Sequence, residues 1–229
     1  MAGGTPRRVL LKLSGEALAD PDGGAIDLEQ TGRMAEQVGQ ASREGVQIAI
    51  VLGGGNLWRG GRQHGLTLER TVSDTIGMLG TVMNALAFSQ TLRQMDIPAR
   101  TLSAIGPYPL VERYSIQGAR DALEAGEVLL CAGGTNNPFF TTDSAAALRA
   151  LELQVDELIK ATNVDGVYSA DPATDPGAAL YSTLTYEEAI AKQLRIMDTA
   201  AFSLCAEGNI PIRVFNMQRP GGIARALLG

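Results

Sequence analysis

Short runs of apolar, β-branched residues alternate along this chain with longer stretches whose apolar positions recur every three or four residues. The first run, Val9-Leu10-Leu11-Lys12-Leu13, predicts a strand. After a Gly/Asp/Pro loop at 20–25, Asp27 predicts the cap of a helix reaching about Arg43. Gly45 opens the apolar run 46–52, which closes on Gly53-Gly54-Gly55 and predicts a strand covered on both faces. A long helix is predicted over 68–95. Its middle, 76–88, is apolar nearly all round and suits either the centre of a core or a contact between subunits. Strands are expected at 99–103 and 128–132 with a helix at 116–125 between them, then a helix at 142–153 and a strand at 157–161. Asp165-Gly166, bracketed by 164–169, is a hairpin signal. Helices at 185–192 and 198–207, a strand at 212–215 and a helix from Gly222 complete the pattern.

Strand–helix alternation over the whole length predicts an α/β fold, a mostly parallel sheet sandwiched by helices in three layers. No linker, repeat or low-complexity segment divides the 229 residues, so a single domain over 1–229 is expected, with loop 170–179 as the best candidate for a mobile element. A chain this long buries about 70–75% of its unfolded surface and needs no covalent staple. With 45% hydrophobic and 19% charged residues it is not a disordered chain. The net charge of −6 argues against a general binder of nucleic acid or anionic membranes. No apolar run is long enough to span a bilayer, and Met1 to Arg8 lead into a short strand rather than a secretory core, so a cytoplasmic protein is expected. The lone His64, read as a surface-loop residue, and two cysteines in apolar stretches, Cys131 and Cys205, read as small core fillers, leave no basis for a zinc site, a Ser-His-Asp triad or a disulfide scaffold. No metal-binding side chains are expected.

The chain has 16 arginines but only three lysines, Lys12, Lys160 and Lys192. A lysine kept where arginine is the rule is either required as a compact point charge or left over from composition bias. Three strand ends carry groups suited to phosphate, and in open α/β sheets ligands bind at such ends. The first is Lys12-Leu13-Ser14-Gly15. The second is Gly53-Gly54-Gly55-Asn56 with Arg59 and Gly60, where consecutive N–H groups make an anion nest and Arg59 supplies a fork. The third runs from Gly133 through Asn136 and Phe139 to Asp143, at the start of a helix. There is no Gly-x-x-x-x-Gly-Lys-Ser/Thr, and the triple glycine does not complete Gly-x-Gly-x-x-Gly. Three phosphate-friendly loops fit two phosphorylated ligands facing each other. A carboxylate at Asp143 belongs there either for the helix dipole or to hold the Lys12 and Lys160 ammonium groups between phosphates. Phosphoryl transfer needs little more than position and positive charge, and a phosphate acceptor, already ionised near neutral pH, needs no general base.

These segments resemble the bacterial uridylate kinases of the amino acid kinase superfamily. The resemblance is carried by Lys12-Leu-Ser-Gly-Glu-Ala-Leu18, Gly53-Gly-Gly-Asn-Leu-Trp-Arg-Gly60, Gly77-Met-Leu-Gly-Thr-Val-Met-Asn84, Gly134-Thr-Asn-Asn-Pro-Phe-Phe-Thr-Thr-Asp143 and Lys160-Ala-Thr-Asn-Val-Asp-Gly-Val-Tyr168, together with Met197-Asp198 and Pro211-Ile-Arg-Val-Phe-Asn216. It implies an amino acid kinase-like fold and transfer of the ATP γ-phosphate to UMP, giving UDP in pyrimidine nucleotide synthesis, with Mg²⁺ carried on the ATP. It assigns ATP phosphates to Lys12, Leu13, Ser14, Gly15, Gly55 and Arg59, and adenosine to Thr162, Asn163, Tyr168 and Asp171. UMP falls to Gly54, Asp74, Thr135, Asn136, Asn137, Pro138, Phe139, Phe140, Thr141 and Thr142. Lys12 and Lys160 would neutralise the transferring group with Asp143 as organiser. Further implications are a homohexamer, inhibition by UTP and a GTP effector site at loop 20–25, whose Asp-Pro-Asp-Gly-Gly-Ala departs from the usual pattern and argues against GTP activation. Asn136 stands where the family has Gly, and the chain stops earlier than many relatives, so a short tail is expected beyond Gly229. Trp58 packs either at the nucleotide loop or at a subunit contact. A non-catalytic nucleotide- or oxyanion-binding protein, and a kinase for another small phosphate or carboxylate, are the alternatives.

Overall fold

The computed structural model describes residues 6–20, 25–59, 68–106 and 109–229. Gly60, His64 and residues 21–24 of loop 20–25 lie outside the described residues. The strands β1 (Arg8–Leu13), β2 (Gln47–Leu52), β3 (Ala99–Ser103), β4 (Glu112–Arg113), β5 (Val128–Ala132), β6 (Glu157–Thr162) and β7 (Ile212–Asn216) form one sheet in the order β4-β3-β5-β2-β1-β6-β7. Every pairing is parallel. Parallel neighbours need crossovers over a sheet face, and helices α1 (Leu28–Arg43), α2 (Arg70–Gln94), α3 (Ile116–Glu124), α4 (Thr142–Leu153), α5 (Tyr186–Ala191) and α6 (Thr199–Glu207) fill most of these connections before α7 (Gly222–Leu228) ends the chain.

The period of two along each strand sorts the core into two layers. Val9, Leu11 and Leu13 pack with α1, α2 and α7 through Met34, Val38, Val82, Phe88 and Leu227. Leu10, Leu129 and Leu158 pack on the other face with the alanines of α4, the Ala119–Leu123 side of α3, and α6. That alternation decides where the charges go. Lys12 lies two residues after Leu10 and Lys160 two after Leu158, so both share the face that α4 covers, and the two lysines are direct partners in the β1–β6 register. The chain leaves β1 for β2 on one side and places β6 on the other, which makes the carboxyl end of β1 a topological switch point.

Cys131 and Cys205 are buried in the second layer, and burial pushes their thiols up to about 12 and about 11. Both are protonated fillers, as their apolar surroundings suggested. Among the described residues no helix is long and apolar enough to cross a membrane.

One expectation fails. Asp165-Gly166 does not turn a tight hairpin. The antiparallel bridge pairs Tyr168 with Leu180 across the 170–178 loop, while Asp165 takes a fork from Arg219, with N···O distances of 2.9 and 2.6 Å, and a bond from Asn216 at 3.0 Å. These bonds hold the Asp165 carboxyl below the ordinary carboxylate range. An Asp-Gly pair supplies the turn chemistry, but here its carboxylate is claimed by the loop after β7, so Asp165 anchors a loop instead.

Candidate functional site

Asp143 enters on the first turn of α4, over the face that carries both lysines. Its Oδ1 lies 2.8 Å from Lys12 Nζ and its Oδ2 2.6 Å from Lys160 Nζ. All three side chains are 12–15% exposed, shielded from bulk water but open on one side. The cluster carries a net single positive charge. Lys160 Nζ also donates to Ile196 O at 2.7 Å, so two of its three donors are committed.

A ring of hydrogen bonds fixes this geometry. Thr141 caps α4, its Oγ1 accepting from the Asp143 N–H at 3.0 Å and the Ser144 N–H at 3.2 Å. The Thr141 hydroxyl donates in turn to Asp198, which also accepts from Ser144 Oγ at 2.9 Å and from the Ala201 N–H at 3.0 Å. Burial works against the Asp198 carboxylate, yet these donors hold its pKa below the ordinary value. Two residues before Asp198, Ile196 closes the ring through Lys160.

A cavity opens on either side of the cluster. One, of about 400 Å³, is lined by Lys12, Ser14, Gly15, the three glycines 53–55, Arg59, Asp74, Thr135 and 140–142. Arg59 pairs there with Glu16. Its floor depends on close backbone approach. A Cβ on Gly15 would sit 2.7 Å from Gly53 O and Gly55 N, and one on Gly54 would sit 2.5 Å from Gly77 O. Asn84 of α2 donates to Gly53 O at 2.7 Å and to Asn56 Oδ1 at 2.8 Å, bracing the triple glycine from beneath. A Cβ on Gly55 would meet nothing nearer than Arg59 Nε at 3.7 Å, so on that side its bare backbone is open to a ligand.

The loop 133–140 forms the opposite wall. Gly133, Gly134, Asn136 and Phe139 all have positive φ, between +59° and +77°. Asn136 holds at +65° the turn where glycine is usual. Such backbone costs on the order of 1–3 kcal/mol at each non-glycine position and persists only where neighbours impose it. Here the Gly133 N–H donates to Thr81 Oγ1 at 2.8 Å and the Phe139 N–H to Asp74 Oδ2 at 2.7 Å, with the Arg70 guanidinium 4.9 Å over the Phe139 ring.

The second cavity, of about 620 Å³, is lined by Lys160, Thr162, Tyr168, Asp171 and the segment 192–196. Arg219 and Asn216 hold its 162–168 edge through Asp165.

Lys12, Asp143 and Lys160 are therefore brought together, as are Ser14, Gly15, Gly54, Gly55, Arg59, Asp74, Thr135 and 140–142 around one cavity, and Thr162, Tyr168 and Asp171 around the other. Leu13 is fully buried in the α2 layer, leaving only its backbone near the site, where its carbonyl accepts from Gly53 N–H at 2.9 Å. Asn163 lines neither cavity, and Asn136, Asn137, Pro138 and Phe139 build the loop without lining the smaller one. Sequence reasoning missed the α2 wall of the smaller cavity, Ser73, Gly77, Met78 and Thr81, and the 192–196 wall of the larger. Small residues at Gly77 and Gly80 in an otherwise apolar helix were the available signal for the first. Trp58 sits on the nucleotide-loop side, its Nε1 donating to Ser73 Oγ at 2.9 Å.

The amino acid kinase family model matches residues 7–216. A uridylate kinase of Colwellia psychrerythraea is 48% identical over 223 residues, covering 97% of this chain and 90% of that protein. The crystal structure of the UMP kinase from Ureaplasma parvum superposes with a TM-score of 0.93 at 37% identity, covering 98% of this chain and 95% of that one. The UMP kinase from Bacillus anthracis superposes equally well, with a TM-score of 0.93 at 34% identity over 98% of this chain and 93% of its own. The chain belongs to the amino acid kinase family and, within it, to the uridylate kinases.

Proposed function

We propose that this protein is a phosphotransferase that moves the γ-phosphoryl of ATP directly onto UMP, giving UDP and ADP without a covalent enzyme intermediate. The observation that carries the reading is the Lys12–Asp143–Lys160 cluster standing between two cavities, each large enough for a nucleotide. ATP would lie with adenosine against Thr162, Asn163, Tyr168 and Asp171 and its phosphates over Lys12, Ser14, Gly15, Gly55 and Arg59. UMP would lie against Gly54, Asp74 and 135–142. The two ammonium groups offset charge on the equatorial oxygens of the transferring group, and Asp143 keeps them in place. The acceptor oxygen is already ionised near pH 7, so no side chain has to take a proton.

The one carboxylate of the cluster, Asp143, does not suit a protein-held Mg²⁺. Both Asp143 oxygens face ammonium groups, and among the described residues no three His, Cys, Asp or Glu side chains converge. The ion fits better as a passenger on the ATP phosphates. Release of ADP that depends on UMP, measured in a coupled assay against CMP, dUMP, isopentenyl phosphate and acetylglutamate, tests the reading, and turnover with any of these but not UMP overturns it. Running the assay with GTP and UTP reads the effector response, with inhibition by UTP expected and little activation by GTP.

Asp74→Asn is expected to raise the KM for UMP about tenfold or more while ATP changes less than about threefold. The Asp74 Oδ2 is taken by the Phe139 N–H, and an amide in its place would turn an N–H toward the ribose hydroxyl that the free oxygen is to accept. Steady-state kinetics varying each nucleotide checks this, and an equal loss for both removes Asp74 from the UMP site.

We read the chain as one amino acid kinase-like domain, cytoplasmic, and assembled as a homohexamer. The single seven-stranded sheet supports the first point. An exposed apolar stripe on α2, Val72, Leu79, Met83 and Leu86 at 39–56% exposure, supports self-association. The spacing of this stripe is that of a helix–helix seam. Leu79→Glu with Met83→Lys is expected to break the assembly, seen as a lower mass by light scattering. A wild-type protein that already runs as a monomer overturns it.

A further inference from the structure

Arg149 is the only charged residue among the buried described residues, 5% exposed among the alanines, Ser144 and Leu153 that α4 buries. An apolar side chain would fill this place at lower cost, because a buried charge is desolvated and must be paired. The pairing found here does more than neutralise. Nη1 donates to Glu152 Oε2 at 2.5 Å, the guanidinium lies 3.8 Å over the Tyr114 ring, and the Tyr114 hydroxyl donates to the same Glu152 oxygen at 2.7 Å. Burial pushes the Tyr114 pKa up, so that hydroxyl remains a donor. With the charge satisfied on that side, Nη2 reaches across to Gly134 O at 3.2 Å. Gly134 stands at φ +59°, at the start of the left-handed run that forms the acceptor wall. Thr81 holds the N–H of the residue before it, and Asp74 holds the loop at Phe139.

We propose that Arg149 is a positioning residue for the acceptor nucleotide. Its fork, set by Glu152 and Tyr114, fixes the Gly134 carbonyl and with it the turn that brings Thr135 and 140–142 to the smaller cavity. The proposal rests on the reading of that cavity as the UMP site. Planarity is essential to it. A lysine can neutralise Glu152 or reach Gly134, but it cannot span both.

Three variants test this: Arg149→Lys, Arg149→Met, and Arg149→Met with Glu152→Gln, which leaves no part-buried carboxylate without its arginine and preserves folding if the single change does not. Each is compared with wild type by kinetics in UMP and ATP and by amide hydrogen exchange over 133–140. The expected result is a rise of about tenfold or more in the KM for UMP, ATP within about twofold, and faster exchange in the loop. Arg149→Lys should fail to restore the UMP value. A folded double variant with wild-type UMP KM and unchanged loop exchange overturns the proposal, as does an equal rise for both nucleotides, which marks a merely structural residue. A wild-type enzyme without UMP-dependent turnover defeats the functional reading instead, and the exchange measurement still decides whether Arg149 holds the loop.

Discussion

Lys12→Ala is expected to lower kcat by roughly 10³-fold while the KM for UMP moves less than about threefold. The strand survives the change. Lys12 pairs through its backbone with Val51 on β2 and Lys160 on β6, and neither pairing needs its side chain. Asp143 keeps Lys160 at 2.6 Å, so the loop architecture stands although Oδ1 loses the ammonium it faces. The turnover is what is lost. Lys160 spends two donors on Asp143 and Ile196 O, whereas Lys12 meets Asp143 Oδ1 as an ion pair without a hydrogen bond, so Lys12 has donors left for the oxygens of the transferring group. An interaction that strengthens as charge spreads over those oxygens lowers kcat and kcat/KM together when it is removed, and UMP binding, which does not use Lys12, is left alone. Lys12→Arg is expected to stay at least about 10²-fold down, since a planar fork cannot sit at a site shaped for a compact ammonium. Quenched-flow measurement of the chemical step, with a melting curve as control for folding, checks both. Wild-type turnover in Lys12→Ala removes the charge clamp from the mechanism.

Lys12 and Lys160 were visible in the sequence as two of three lysines, each at a strand end in an arginine-rich chain. Their register was not. That the two are direct partners follows from β6 pairing beside β1, a contact between residues about 150 apart that no local pattern encodes. The face they share was legible in principle, because the alternation in Leu10–Lys12 and Leu158–Lys160 is the strand period itself. Elements too short for periodicity escaped, namely β4 with two residues and the 3-10 helix Gly15–Leu18, which the sequence presents only as a Ser-Gly turn. The α2 helix answers to both of its readings. Val82, Phe88 and Leu92 go to the core, while Val72, Leu79, Met83 and Leu86 stay exposed. The 192–196 wall of the larger cavity was illegible for another reason. It is backbone and mixed side chains held over the site by Lys160 and Asp198, so its place depends on tertiary contacts and not on its own composition.

Asp143→Asn separates an organising carboxylate from a metal ligand or a base. The amide keeps the shape and the place on the first turn of α4, but it offers one acceptor where two ammonium groups now bind two oxygens, at 2.8 and 2.6 Å. Its N–H₂ must face one lysine, donor against donor, and that lysine turns away. The local charge rises by one unit at the same time, so a polyphosphate is held as well as before or better. The expected outcome is a fall in kcat of about 10²–10³-fold with ATP affinity unchanged or improved, read by single-turnover kinetics and calorimetry. A metal ligand would behave in the opposite way, with ATP binding weakened and activity restored by excess Mg²⁺. A base would leave a defect that shrinks as pH rises and the acceptor phosphate becomes fully ionised. Activity regained at high Mg²⁺ would move Asp143 out of the lysine clamp. A defect independent of both Mg²⁺ and pH is what two misplaced ammonium groups produce, because neither variable can put the missing acceptor oxygen back between them.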